Sequence, residues 1–317
     1  MALLAKNLWK ALKGSFGDFG KYRLTKLSAA LAYYTIFSIA PMLIVIITLC
    51  SLFYGRSAIE GQVYGEIKSF VGSDAALQIQ DIIGKAAVAK DLTWASVISI
   101  VALVFSATGV FAEIQTSINF IWNLRANPKK GGIVKMLLNR LISFSMIISL
   151  GFIALVALLV NAVLDAITEK LLRMFPQITV YLAYIINQLV TFGSITLLFA
   201  IIFKVLPDAK VKWKDVWVGS ITTALLFMIG KYGIGFYLGK SNISSTFGAA
   251  GSIVIILLWV YYSAIILYFG AAFTKSYAQV KGNHIYPNDY AVYVEHIEVE
   301  NRQSLQAQKE TIEKEKA

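Results

Sequence analysis

Long apolar stretches separated by short charged ones run through most of this chain. A bilayer core of about 30 Å needs about 20 mostly apolar residues per helix. Six stretches reach this length, and the charged residues lie almost entirely between them: residues 28–54, 94–122, 137–164, 180–206, 216–239 and 249–274. The pattern predicts an all-α polytopic membrane protein with six transmembrane helices in one domain, residues 28–280.

Three further segments have patterns of their own. Residues 1–27 form a basic arm with one apolar helical face, typical of an amphipathic helix at a membrane surface: Leu4, Leu8, Ala11, Leu12 and Phe16. Residues 57–91 predict two short amphipathic helices on the outer side. Residues 281–317 form a polar tail on the cytoplasmic side with too few apolar side chains to fold alone, so we expect it to be mobile or a solvated helix.

The basic residues predict the orientation of the chain. The arm and the second and fourth loops between spans hold 15 lysines and arginines against three acids, whereas the other three loops hold seven of each. Because basic loops stay on the cytoplasmic side, we expect both termini in the cytoplasm. The net charge of +11 then faces the inner leaflet, which favours membrane lipid, including anionic phospholipid, as a partner over nucleic acid. Homo-oligomerisation stays open.

Residue types that hold metals and cofactors are scarce. Cys50 is the only cysteine, and the two histidines, His284 and His296, fall in or near the polar tail. The sequence has no cluster with metal-ligand spacing and no G-x-x-x-x-G-K-[ST] phosphate-binding loop. We therefore expect no metal, no other cofactor and no direct use of ATP.

A carboxylate interrupts the second predicted span, in FSATGVFAEIQTSINFIW. Glu113 lies nine residues before Trp122, roughly 13 Å at 1.5 Å per residue, which places it in the inner half of the bilayer. A charge that faced lipid there would cost about 2.5–3.5 kcal/mol or more. Helical spacing puts Gly109 and Ser117 on the same stripe, where a small residue lets another helix approach. Glu113 therefore points at protein or at water.

Two interpretations of Glu113 follow from this position. It is either a proton-titrating or cation-binding carboxylate in a transport path, or a structural hydrogen-bond anchor between helices. In the first interpretation Gln115, Ser117 and Asn119 are its polar neighbours. Lys231 of the fifth span is a candidate partner, but its distance along the helix favours a lysine that reaches the outer headgroups.

The first predicted span offers further candidates for a pathway. Tyr33, Tyr34 and Ser38 carry hydroxyls that suit its lining, although tyrosines near an interface are usually belt residues. Pro41 lacks an N–H and leaves the carbonyl of Phe37 without its helical donor. We therefore expect a kink or hinge near the middle of this span.

Small residues predict close packing of the fifth and sixth spans. Gly235 and Gly239 form a small-xxx-small pair on the fifth span, and Gly248 and Ser252 form one at the outer end of the sixth. Only a short loop separates the two pairs, so we expect the two helices to approach closely near the outer face.

Three stretches carry a resemblance to a known family: SAALAYYTIFSIAPML, FAEIQTSINFIW and FGAAGSIVIILLWVYYSAIILYFGAAFTK. They resemble the YihY/BrkB family over about residues 10–280, in length and in order. The resemblance implies a six-span protein of the bacterial inner membrane, described as a transporter or as an envelope and virulence-associated factor. Members have also carried a ribonuclease label, which these residues do not support. This sequence departs from the family at Gly270-Ala271-Ala272, where alanine takes a commonly acidic position.

Together these patterns favour a transporter or exporter of an amphiphilic or anionic, lipid-like solute. In this interpretation Glu113 is the titratable group and Pro41 the flexure point. The alternative is a non-transporting envelope scaffold, in which Glu113 only locks helix packing. A third interpretation, a membrane-embedded hydrolase, would require catalytic side chains that the sequence does not reveal, so we expect no enzyme.

Overall fold

The computed structural model describes residues 2–38, 94–126, 176–240, 251–288 and 291–295, with single positions between 141 and 152. These residues are mostly helical: α1 at Ala2–Lys21, α2 at residues 24–38, α3 at Trp94–Ile121, α4 at Pro176–Val205, α5 at Trp213–Lys240 and α6 at Gly251–Val280. Among them, three helices are long and apolar enough to cross a membrane: Gln188–Val205, Trp213–Tyr237 and Ile253–Val280.

The described helices coincide with most of the predicted spans. Helices α3 to α6 match the second, fourth, fifth and sixth spans, and α2 matches the start of the first. Of the third span, the described positions between 141 and 152 are helical. Four predicted features lie outside the described residues: Pro41, the outer segment 57–91, Gly248 and residues 296–317.

Left-handed backbone positions set where two of the helices end. Asn123 follows α3 with a φ of +59°, which asparagine tolerates better than most residues. After α6, Gly282 has a φ of +74° and completes a Schellman motif. In it Asn283 N–H donates to the Ala278 carbonyl at 2.8 Å, and Gly282 N–H to the Gln279 carbonyl at 3.0 Å. This turn sends the chain back across the helix ends.

Glycines bring α5 and α6 into close contact. A Cβ on Gly219 of α5 would collide with Thr274 of α6, and a Cβ on Gly270 of α6 would collide with Thr223 of α5. Small residues at such positions let two helix backbones approach. No described atom lies within 4 Å of the place that a Cβ on Gly235 would take. A Cβ on Gly230 of α5 would also collide with Tyr262 of α6, so tight contacts extend from Gly219 to Gly230 along α5.

The apolar face of α1 packs in part against α6. Ala11 is fully buried and forms a small core with Phe273 and Tyr277 of α6. A Cβ on Gly14 would collide with Ser276. The arm that the sequence predicted for a membrane surface thus uses part of its apolar face to contact the last helix.

Two short antiparallel strand pairs close one end of the helix bundle, which we call the strand end. Strand β1 (Leu124–Ala126) pairs with β4 (Ala291–Tyr293), and β2 (Ala209–Lys210) pairs with β3 (Tyr286–Pro287). The prediction of a mobile or helical tail is wrong for β3 and β4, because backbone hydrogen bonds to two distant loops hold this part of the chain. A small β addition thus accompanies the helical fold.

Asp208 joins the strand end to α3. Its carboxylate accepts hydrogen bonds from Gln115 Nε2 at 2.9 Å and from Asn119 Nδ2 at 3.1 Å. Its own N–H donates to Asn119 Oδ1 at 2.8 Å, and its carbonyl accepts from the N–H of Asn288 at 2.9 Å. A buried carboxylate is tolerated when it is hydrogen-bonded in this way. The loop between α4 and α5 is therefore tied both to α3 and to the chain beyond α6.

Replacement of Asn119 by leucine tests this connection. The change removes two hydrogen bonds to buried polar groups of Asp208, so we expect the free energy of unfolding to fall by about 2–3 kcal/mol. The melting temperature of the detergent-solubilised protein measures the loss. Thr116→Val is the matched control, because Thr116 is exposed on the same helix and bonds to the Ala112 carbonyl. Equal shifts in both variants would contradict the role of Asn119.

Candidate functional site

Glu113 of α3 lies in a polar site with unused hydrogen-bonding capacity. It is half-buried, and its one hydrogen bond within the described residues comes from the Ser117 hydroxyl, which donates to Oε1 at 3.2 Å. No described lysine or arginine forms an ion pair with its carboxylate. Tyr268 of α6 is fully buried, and its hydroxyl lies near Ser117 and within electrostatic range of Glu113. These three side chains lie where α3 meets α6.

The described end of α2 approaches α3 near this polar site. Ser38 is buried, and a Cβ on Gly109 would lie 3.2 Å from the Ser38 hydroxyl oxygen. Gly109 precedes Glu113 by four residues and therefore lies one turn away on the same face. Helices α2, α3 and α6 thus all contribute side chains to this region of α3.

Gln115 and Asn119 hydrogen-bond to a carboxylate other than Glu113, the one that the sequence suggested. Both amides donate to Asp208 in the loop between α4 and α5. Of the three polar residues predicted around Glu113, the structure brings Ser117 into hydrogen-bonding distance of it.

Tyr33 and Tyr34 lie on the outside of α2. Their side chains are 61% and 45% exposed, and the Tyr33 ring packs against Tyr34 and Phe37 with centroids 5.9 and 5.0 Å apart. An exposed aromatic surface of this kind is typical of a position against lipid or at the membrane interface. Lys231 is half-buried on α5, where it has interactions apart from Glu113. The structure therefore does not gather these residues around Glu113.

A buried lysine that the sequence pattern did not single out joins three helices at the strand end. Lys275 of α6 is 6% exposed. Its Nζ donates to the Tyr22 hydroxyl at 2.7 Å and to the Ile121 carbonyl at 2.8 Å, and lies 3.7 Å from Asp18 Oδ2. The Tyr22 hydroxyl in turn donates to Asn123 Oδ1 at 2.9 Å. Because a buried ammonium without partners costs several kcal/mol, these contacts explain how Lys275 is tolerated.

Asp18 is the acid of this lysine cluster. Burial raises its pKa above the usual carboxyl value, and the nearby Lys275 and Lys21 oppose that rise. The net direction means that the ion pair with Lys275 does not fully offset the loss of hydration. Lys275 is also held by its hydrogen bonds to Tyr22 and Ile121.

Two cavities open at the strand end. One of about 310 Å³ has Trp122, Lys275, His284 and Tyr286 among its lining residues, and another of about 530 Å³ is lined mainly by lysines. Glu113 lines neither cavity. Within the described ranges, no group of three or more His, Cys, Asp and Glu side chains is placed to hold a metal ion.

Comparison with known proteins gives a family match for this chain. Residues 15–289 match the family described as virulence factor BrkB. A UPF0761 membrane protein of Alteromonas mediterranea is 26% identical over 286 residues, 87% of this chain and 92% of the relative. One of Stenotrophomonas maltophilia is 29% identical over 290 residues, 86% of this chain and 64% of the relative. One of Tolumonas auensis is 26% identical over 258 residues, 80% of each chain. No solved structure gives a significant match.

The family match agrees with the resemblance carried by the sequence stretches around Tyr33, Glu113 and Tyr268. It spans most of the chain, and the described helices include apolar segments long enough to cross a bilayer. This chain is therefore a membrane protein that belongs to the virulence factor BrkB family.

Proposed function

We propose that this protein moves an amphiphilic, anionic solute across the bacterial inner membrane, through a bundle of six transmembrane helices with both termini in the cytoplasm. The observation that carries the proposal is the incomplete pairing of Glu113. Its half-buried carboxylate accepts one hydrogen bond of 3.2 Å from Ser117 and has no cation partner within the described residues. Intramembrane acids of this kind commonly mark transport paths.

A comparison with the other buried charges of the same chain supports a functional role for Glu113. Asp208 accepts two amide hydrogen bonds, and Lys275 donates two in addition to its approach to Asp18. Both are paired as structural anchors require. Among the described residues Glu113 has no such pairing, which favours a functional role over a lock between two helices.

The charge of Glu113 controls passage in this proposal. An ionised carboxylate repels an anionic group at close range in a low-dielectric site. A protonated carboxyl loses that repulsion and becomes a hydrogen-bond donor, and the buried Tyr268 hydroxyl, which interacts electrostatically with Glu113, is a candidate acceptor. Proton binding at Glu113 thus admits the anion, and proton loss excludes it.

The solute class rests on the surroundings of this site. The described helices present exposed apolar side chains along candidate spans, such as Leu189, Ile229 and Phe236, which lets a lipid-like molecule remain beside the protein. Lysines are frequent at the strand end, which we assign to the cytoplasmic side by the positive-inside rule. An anion with an apolar body suits both features.

Proteoliposomes that contain fluorescently labelled phosphatidylglycerol test the proposal. Dithionite bleaches the label in the outer leaflet, so the slow fraction reports movement between leaflets. Because the neutral carboxyl admits the anion, we expect the wild-type rate to rise as pH falls, by up to about tenfold per unit while Glu113 is mostly ionised. Glutamine is permanently neutral, so Glu113→Gln loses this pH dependence.

The matched control is Thr116→Val, which keeps Glu113 and alters an exposed position of the same helix. It retains the wild-type pH profile. A Glu113→Gln protein that melts like the wild type and shows the same pH profile would contradict the role of Glu113. A wild-type rate equal to that of empty liposomes would contradict the lipid-like solute class.

The second candidate is the non-transporting envelope scaffold, and the name virulence factor BrkB fits it equally well. For this candidate the polar tail is the expected contact with partners. The structure narrows the part of the tail that is available for this role, because β3 and β4 belong to the strand end. We assign no enzymatic activity to either candidate.

Two truncations separate the candidates. Removal of residues 296–317 leaves β3, β4 and the Asn288 contact with Asp208 in place, so we expect the melting temperature and the leaflet-exchange rate to stay at wild-type values. Removal of everything after Lys281 deletes those contacts and lowers the melting temperature. The scaffold is the function if the protein without residues 296–317 keeps its stability but no longer forms a larger envelope complex on native gels, while neither it nor the wild type shows leaflet exchange.

A further inference from the structure

A groove of about 530 Å³ at the strand end is lined mainly by basic side chains. We call it the lysine groove, and its lining includes four lysines: Lys204, Lys212, Lys214 and Lys281. Trp213 and Asn283 also line the wall of the groove. None of the described residues that line the groove is acidic. Its surroundings therefore favour an anion over a cation or a neutral molecule.

The ends of three candidate membrane spans meet at this groove. Lys204 lies in the last turn of α4, Trp213 and Lys214 lie in the first turn of α5, and Lys281 follows the last residue of α6. The apolar windows of these helices end at Val205, begin at Trp213 and end at Val280. The groove thus lies at the depth where helices leave the bilayer core, which is the depth of lipid headgroups. An exposed tryptophan such as Trp213 is typical of that depth.

One carboxylate of the described chain, Asp215, is held behind the wall of the groove. Asp215 is buried, and its Oδ2 accepts a hydrogen bond of 2.8 Å from Asn283 Nδ2. The other amide atom of Asn283, Oδ1, accepts a hydrogen bond of 2.6 Å from Lys212. Asn283 therefore stands between the acid and the lysine. Lys212 is not joined to Asp215 in an ion pair of the described chain, so its charge is available to the groove.

The other lysines are positioned by contacts that keep their charge. Lys204 donates to the Val211 carbonyl and lies 5.5 Å from the Trp213 ring centroid. Lys281 lies 5.6 Å from the Tyr277 ring centroid. A carbonyl or an aromatic face orients an ammonium group without neutralising it, and each ammonium has three N–H donors. The groove thus presents several donors and several positive charges to one volume.

We propose that the lysine groove binds the phosphate group of an anionic phospholipid whose acyl chains lie against the neighbouring helices. Lysine ammonium groups bind phosphate as point charges, and basic pockets between membrane helices suit phosphorylated headgroups. The volume holds a phosphate together with a small headgroup. This site is separate from Glu113, and it stands whether or not the protein transports a solute.

Native mass spectrometry of the full-length protein in detergent tests the groove. The probes are phosphatidylglycerol and phosphatidylcholine with identical acyl chains, titrated separately. We expect the first bound phosphatidylglycerol to be retained at a concentration about tenfold lower than phosphatidylcholine, and the double variant Lys214→Gln/Lys281→Gln to lose that preference. The control double variant is Lys10→Gln/Lys13→Gln, which removes the same charge from exposed positions of α1 and keeps the preference.

A second arm separates lipid from soluble phosphate. Glycerol 3-phosphate and inorganic phosphate are added at millimolar concentration to each protein. One outcome is that the wild type binds these ions, the groove variant does not, and neither protein prefers phosphatidylglycerol. The groove would then be a phosphate site with a soluble ligand, and the lipid source would be overturned. Equal binding of phosphatidylglycerol by all three proteins, or equal loss in both double variants, would overturn the site itself. Melting temperatures exclude misfolding of the variants.

Discussion

A buried charge in an apolar bundle must be hydrogen-bonded, and this constraint organises the strand end. Loss of hydration costs an ion several kcal/mol, which only well-placed partners offset. Asp208 meets the constraint with amides of α3, and Lys275 meets it with the Tyr22 hydroxyl and the Ile121 carbonyl. Two charges thereby connect helices α1, α3 and α6, the loop before α5 and the chain beyond α6. In the proposed transport function, we expect helix movements to occur away from this end.

The sequence predicted the helices well and the strands not at all. Apolar length is a local property, so the second, fourth, fifth and sixth spans coincide with α3 to α6. Strand pairing is not local, because Leu124 meets Tyr293 and Lys210 meets Tyr286 from distant parts of the chain. The polar composition after Lys281 suggested a tail without a core. Backbone hydrogen bonds to the two loops, rather than a core of its own, hold that segment in position.

The same distinction between local and non-local properties explains which residues of the candidate site the sequence predicted. The cost of an acid in an apolar helix is local, so Glu113 and its helical neighbour Ser117 were found from spacing alone. The partners of Gln115 and Asn119 were missed because Asp208 lies about 90 residues further along the chain and counted only as a loop charge. Lys275 was missed because its span was predicted to end at residue 274, whereas α6 continues to Val280. In both cases a charge outside the predicted spans turned out to be buried.

Mass spectrometry of the small molecules that co-purify with the solubilised protein tests most directly whether Glu113 lies in a binding path. The wild type is compared with Glu113→Gln after thermal melting has established equal folding. We expect an amphiphilic anion whose retention differs between the two proteins, because the Glu113 carboxylate, or the neutral glutamine amide that replaces it, lies beside the bound solute. The same set of molecules at the same abundance in both, together with a lower melting temperature for Glu113→Gln, would make Glu113 a packing residue and contradict the transport role.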